Sequence, residues 1–301
     1  MAPNDINIAA NTIVSGPIMV LDNGELTIDD KIPPGQDTEG DYDIIILDDG
    51  ATINKKQSVA NEGSDYGVLD LPVPDSLPEM PDFSGYLSMA TSTNAYTVAP
   101  PLALDIAVED KDGDGVIYYD VPGGITIESI VGSGTIVNTG DIVVGDNHNA
   151  ADDVSSDVAL ISFGAVNVQQ MTIFQGNTLI YGYETVYFGD SSYCAGNSAL
   201  LADGGDDGIV ADDIIMGGQS EFYGIIFADE GSVIIQPGSG GDANTRITGT
   251  VISGDSVDMN SNSEIIFDPS VFYTGDLFDL TTFFKTSVIT TTKDWEELPP
   301  L

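Results

Sequence analysis

The sequence predicts an all-β chain folded as a parallel β-helix, a β-solenoid, with a Pro-rich insertion that carries one short helix. The first observation is the ladder between Asp203 and Asp268. Its apolar pieces GIVADDIIMGG, SEFYGIIFADEG, SVIIQPGSGG, RITGTVISGD and SVDMNSNSEIIFDP are short runs of β-formers, each closed by Gly, Asp, Asn or Pro. Strands that short and that evenly spaced need stacked neighbours on both sides, and β-branched runs broken by Gly/Asp/Asn corners are how a solenoid is written. The second observation is a scarcity of Asn-Gly or Asp-Gly turns between complementary strands, which places an antiparallel sandwich second. The expected register is a set of parallel columns running through Ile225, Ile234 and Val251. The third is composition: 42% hydrophobic residues and a mean hydropathy of +0.06 are enough for a core, so disorder is not expected despite a formal net charge of -42.

Residues 1–54 read as the first coils. INIAANTIVSG, PIMVLDNG, ELTIDDKI and YDIIILDDGATI are rung-like, with Asn23-Gly24 and Asp49-Gly50 as corners and KIPPGQDTEGDY as an interrupting loop. Residues 55–101 change character. Pro72, Pro74, Pro78, Pro81, Pro100 and Pro101 remove ladder donors and fix φ, so this stretch is not solenoid interior. Ser84 reads as the cap of a short helix over Gly85 to Thr91, with Tyr86, Leu87, Met89 and Ala90 on its apolar side. The aromatic and Leu content favours packing against the solenoid flank over a free linker. Residues 102–272 resume the strand series as the main solenoid, interrupted by AADDVSSD and SSYCAGNS. Residues 273–301, with Leu277, Phe278, Phe283 and Phe284, are expected to fold back as a cap, because an uncovered last rung is an exposed edge.

Charge sets limits on partners. With seven Lys+Arg against 49 Asp+Glu the chain lacks the cations that neutralise phosphates, so a nucleic-acid partner is excluded and an anionic bilayer repels it. No apolar run approaches the ~18 residues of a membrane helix. Nor does Met1 open a basic and apolar leader; any targeting segment would have to precede it. The acids are 37 Asp and 12 Glu. Asp is both a corner residue and a hard-oxygen ligand, so turn chemistry, Ca²⁺ and a saline habitat all remain open as reasons for the excess.

The sharpest local motif is EDKDGDGVIYYD. Asp110, Asp112 and Asp114 stand at positions one, three and five of an EF-hand-type loop, Gly115 allows the turn at six, and the Val116 carbonyl serves at seven. Position twelve is Val121, where a bidentate acid is needed, and Asp120 comes one residue early. The expected metal set is therefore Asp110, Asp112, Asp114, Val116 and Asp120, with Ca²⁺ as the cofactor; an acidic surface turn is the alternative. Asp203, Asp206 and Asp207, with Asp212 or Asp213, form a second oxygen-rich stretch with no strict spacing.

Catalysis has little behind it. His148 is the single histidine and Cys194 the single cysteine, so disulfides, His-based zinc sites and two-His relays are unavailable. His148 reads as a solvated loop residue and Cys194 as a buried inert thiol. Asp152-Asp153 and Asp212-Asp213 imitate the paired carboxylates of β-helical polysaccharide-acting enzymes. Such enzymes also hold uronates with basic groups, and Arg246 is the lone arginine. Thr-x-Thr columns of the kind that bind ice or carbohydrate are confined to ITTT near Ile289.

The order of PDFSGY at Pro81 to Tyr86, then GVIYYDVPGGITIES, GSGTIVNTGDIVVGD, YGIIFADEGSVII, ITGTVISGDSV, SEIIFDPSVF and VITTTKDWEEL resembles the soluble region of PilX-type pilus assembly proteins, minor-pilin-like surface proteins. The likeness runs from about Leu71 to Leu298. It departs in lacking the N-terminal hydrophobic helix such proteins are expected to carry. Bactofilins share stacked β-helical rungs but are shorter and lack the Pro-rich insertion. The resemblance implies a non-enzymatic, extracellular structural or adhesive solenoid on a type IV pilus-like filament, with pilin or other filament subunits as partners; the loop from Asp110 adds the expectation that calcium stabilises it. A self-polymerising filament subunit, with itself as partner, is the alternative, and a polysaccharide-acting β-helix enzyme the second alternative.

Overall fold

A computed structural model describes residues 5–9, 12–15, 17–20, 25–28, 44–47, 52–55, 80–92, 94–145, 152–154, 156–204, 212–237, 244–266 and 268. The chain winds as a three-faced β-solenoid, and among the described residues every strand pairing is parallel. The expected fold class holds. Spacing between stacked residues varies with corner length, from 17 (Ile125 to Ile142) through 20 (Val158 to Thr178) and 24 (Ile142 to Val166) to 28 (Phe188 to Met216).

One face passes through Ser129–Val131, Asp152–Val154 and Thr172–Phe174. The second passes through Val116–Tyr119, Gly134–Asn138, Val158–Ser162 and Thr178–Gly182. Both continue into the longer strands Tyr193–Ala202, Glu221–Ala228 and Thr245–Ser253, which bend across the corner between them. The third is a ten-stranded sheet that includes Ile142–Val144, Val166–Val168, Val186–Phe188, Ser232–Ile235 and Ser256–Met259. At roughly 4.8 Å per step, that face is about 43 Å tall.

Burial follows the sequence pattern. Third-face strands alternate inward, outward, inward, with Ile142, Val166 and Val186 inside and Val143, Asn167 and Tyr187 facing out. Second-face strands Val158–Ser162 and Thr178–Gly182 are buried at every position. A strand covered on both sides reads as a continuous apolar run, and one covered on a single side alternates.

The second face is doubly covered because the described part of the Pro-rich segment, residues 80–92, packs on it, while Pro72, Pro74 and Pro78 lie outside the described residues. Helix α1 (Ser84–Ala90) lies against this sheet, with Phe83 and Ala90 buried among Val137, Ala159, Leu179 and Tyr181. Ser84 is not its cap. Phe83 holds that position, and it is the Asp82 carboxylate that accepts the Ser84 N–H, at 2.8 Å. A second helix, α2 (Ile106–Glu109), departs from the sequence expectation. LALDIAVED alternates like a strand, but the Asp105 carboxylate accepts the Ala107 N–H and turns the chain, placing buried Ile106 over the corner at Gly132 and Gly134. This helix lies at the end of the stack where Ala103–Asp105 and Ile125–Ile127 are the last strands of their sheets.

The expected columns are corrected in detail. Val251 pairs with Ile226, whereas Ile225 pairs with Thr250, and Ile234 belongs to the third face opposite Ile215 and Asp258. A corner separates Ile234 from the other two.

Residues 1–54 contain the expected rungs, β1 (Asp5–Ile8), β2 (Ile13–Ser15), β3 (Pro17–Val20), β4 (Glu25–Ile28), β5 (Ile44–Leu47) and, running to Lys55, β6 (Thr52–Lys55). Their place differs from chain order. β1 stacks on Ser256–Met259 and β2 on Ser263–Ile266, so the start of the chain lengthens the stack beyond its last coil. β4 then covers β1, β6 covers β4, and β5 covers β3. One layer is thus composite, with β1 on one face and Ser263–Ile266 on another. The expected cap at residues 273–301 lies outside the described residues.

Candidate functional site

Asp110 opens the acidic loop between α2 and the strand Val116–Tyr119. Its Oδ1 accepts the N–H groups of Asp112 (3.2 Å) and Gly113 (2.8 Å), and its Oδ2 accepts that of Gly115 (2.8 Å). These bonds, that of Gly115 foremost, hold the Asp110 carboxyl below the usual carboxylate range. Gly113 and Gly115 take φ of 72° and 80°, which the tight turn requires. Asp114 Oδ1 accepts the Val116 N–H at 2.9 Å. Asp112 and Asp114 are exposed.

Asp120 is separated from this group. An extended strand carries the chain from Val116 to Asp120, about 13 Å at 3.3 Å per residue, and there Asp120 accepts from Thr139 Oγ1 at 3.1 Å. Where an EF-hand-type loop turns back to bring its last acid to the ion, this one runs straight on. Among the described residues no group of three or more His, Cys, Asp or Glu side chains is placed to hold a metal ion.

Beside the loop, Tyr96 extends the sheet onto Tyr119. Its N–H donates to the Tyr118 carbonyl, its carbonyl accepts from Asp120, its hydroxyl donates to the Glu109 carbonyl at 2.8 Å, and the Lys111 ammonium lies 3.3 Å above its ring centre. This cluster joins the loop to α2 and to the strand Val116–Tyr119.

The remaining acids fall on several faces. Asp152 and Asp153 lie in a first-face strand opposite Thr172 and Ile173. Asp212 and Asp213 begin a third-face strand, with the buried Asp213 carboxylate between Gly204 and Gly231. The two carboxylate pairs therefore do not share a cleft. Asp206, Asp207 and His148 lie outside the described residues. Arg246 Nε pairs with Glu264 at 3.1 Å. The Cys194 thiol is buried and donates to Ser198 Oγ at 3.0 Å, and burial pushes its pKa up to about 11, which suits an inert thiol.

Many carboxylates serve the corners instead. Asp141 Oδ1 accepts the N–H of Ala165, Asp157 Oδ1 that of Asn177, and Asp190 Oδ1 that of Gly218, each on the next coil. Part of the Asp excess is thus corner chemistry, since a short acceptor at a turn satisfies a backbone donor that the ladder leaves over.

A groove of about 830 Å³ runs between the Pro-rich segment and the second face, with Phe83, Phe163 and Tyr181 in its wall and Asp82, Asp203 and Asp229 around it. Phe83 stacks on Tyr181 at 4.1 Å between ring centres, Phe163 meets Tyr181 edge-on at 6.3 Å, and the Tyr181 hydroxyl donates to Asp203 Oδ2 at 3.2 Å. Phe83 and Tyr181 are both buried, so their faces hold the segment in place rather than offer a platform to a ligand. The sequence points to packing on the flank without specifying these contacts; the signal available is the aromatic pair in DFSGY. Neither known protein families, nor curated proteins, nor solved structures give a match to this chain.

Proposed function

We propose that this chain is a non-enzymatic structural solenoid of the cell surface, part of or carried on a pilus-like filament. The observation that supports this is how the chain is used: even its first rungs lengthen the stack beyond its last coil. A continuous parallel stack is a stiff body, and the Pro-rich segment braces one flank. The carboxylate surface keeps it soluble. Among the described residues no helix is long and apolar enough to cross a membrane. Pilin or other filament subunits are the partners in this reading. Co-purification of the chain with a pilin-like subunit from sheared surface filaments is the expected result. Exclusive recovery away from the surface would defeat the reading.

The second reading, a self-polymerising subunit, is favoured by one feature. Among the described residues β5 and β6 each have a partner on one side only. Ordered fibres from the purified chain alone, seen by electron microscopy, would move the weight to it.

Calcium enters this proposal at the loop from Asp110 to Val116, without Asp120. Asp110 already sets the turn, so a cation would draw in the exposed carboxylates of Asp112 and Asp114 with little change in backbone. Millimolar Ca²⁺ should raise the melting temperature of the parent chain and not that of Asp112→Asn. Equal melting with Ca²⁺ and with chelator removes calcium from the reading.

A further inference from the structure

We propose that the N-terminal rungs, residues 5–55, exchange between copies, so that β1 and β2 of one molecule complete the composite layer of the next. The proposal deepens the structural reading above by naming a second copy of this chain as partner. Its failure leaves that reading standing, because a filament can be joined through other contacts.

The composite layer carries the argument. β1 adds in register to Ser256–Met259 through Asp5↔Ser256, Ile6↔Val257, Asn7↔Asp258 and Ile8↔Met259. Backbone bonds Asp5 N–H to the Asp255 carbonyl (3.0 Å) and Ala9 N–H to the Met259 carbonyl (2.8 Å) close its two ends. The side chain of Asn7 donates to Asp258 at 2.6 Å across 251 residues of sequence. β2 adds likewise to Ser263–Ile266. Outside itself, this N-terminal unit pairs with those two strands and no others among the described residues. A segment that adds to a sheet edge by main-chain bonding fits the same edge on an identical molecule, with the same bonds made.

The connection is long enough for either arrangement. Tyr181 and Met80 line the same groove, and the third-face strand of that coil stands six steps from β6, about 29 Å at 4.8 Å per step. Lys55 and Met80 are separated by 24 residues of sequence, a length that at full extension reaches about 80 Å. Exchange joins unlike surfaces, the N-terminal unit of one copy to the last coil of another. Reciprocal exchange closes into a pair, and exchange passed on from copy to copy propagates into an open chain.

Single-cysteine variants test it. Asn7→Cys and Asp258→Cys, each in the full chain with Cys194→Ser, are mixed at high concentration, incubated and oxidised. Partner residues in adjacent strands lie within disulfide range. Exchange predicts disulfide-linked dimers from the mixture, and linked dimers or chains of higher order from the double variant Asn7→Cys/Asp258→Cys at the same concentration. Asn7→Cys mixed with Val131→Cys, an exposed position toward the opposite end of the stack, should give none. If the mixture stays monomeric while the double variant links only within one chain, exchange is overturned. If the double variant does not link at all, the composite layer is absent and the proposal falls with it.

Discussion

At Gly224 and Gly249 the backbone leaves no choice of residue. They pair with each other where the first and second faces meet, at φ of 151° and 144°. A Cβ on Gly224 would collide with the Ser198 carbonyl, and one on Gly249 with that of Gly224. Gly224→Ala should therefore lower stability by at least about 2 kcal/mol in a denaturant titration; a change within error would mean the corner relaxes freely. Tyr119 and Tyr181 make a second prediction. Burial foremost, with nearby acids adding, raises both phenols above their ordinary pKa of 10.0. They stay protonated in the fold while unfolded phenols ionise. Their contribution is complete below pH 10 and declines as pH rises beyond it, so the melting temperature should fall above about pH 10, by less in Tyr181→Phe. The Asp110 turn was legible in DKDGDG as a turn. Whether it binds an ion was not, because residue spacing along the loop does not fix where the chain goes after Val116.

Among the elements, the strands were the most legible. DVALISF and VNV were legible as strands, and the continuous apolar run of the first lies in a strand buried at every position while the alternation of the second turns one side to solvent. The helices show what local pattern leaves out. α1 was visible because prolines end the strand series before it, yet its start is set by Asp82, two residues ahead of the expected cap. α2 was hidden because strand-like alternation in LALDIAVED is overruled by one aspartate hydrogen bond. Phe83 ties α1 to the solenoid, so Phe83→Ala should cost about 3 to 4 kcal/mol and, if the segment then detaches, expose Tyr181 to fluorescence quenchers. A variant that melts normally with Tyr181 still shielded would show that other contacts hold the segment.

For the whole molecule, the formal net charge of -42 lies on a stack whose interior is apolar. Mutual repulsion of those carboxylates opposes compaction and is screened by simple salt. Raising NaCl from about 0.02 M to about 0.5 M, where the screening length shrinks severalfold, should raise the melting temperature, and KCl should do the same. An effect confined to Ca²⁺ would point to bound ions instead. The layer order was beyond the reach of sequence: any rung with an inward β-branched column fits on any other, so the pattern reveals rungs without saying which lies on which.

That order has a consequence for how the protein is made. The coils from Val116 to Met259 can stack one after another as they emerge from a ribosome, each finding its support in the rung just synthesised. β1 and β2 emerge first, yet their seat is translated some 250 residues later, as the 251-residue separation of Asn7 and Asp258 records. Closing so distant a contact is slow relative to the local stacking before it. The oldest part of the newborn chain is the last to come to rest.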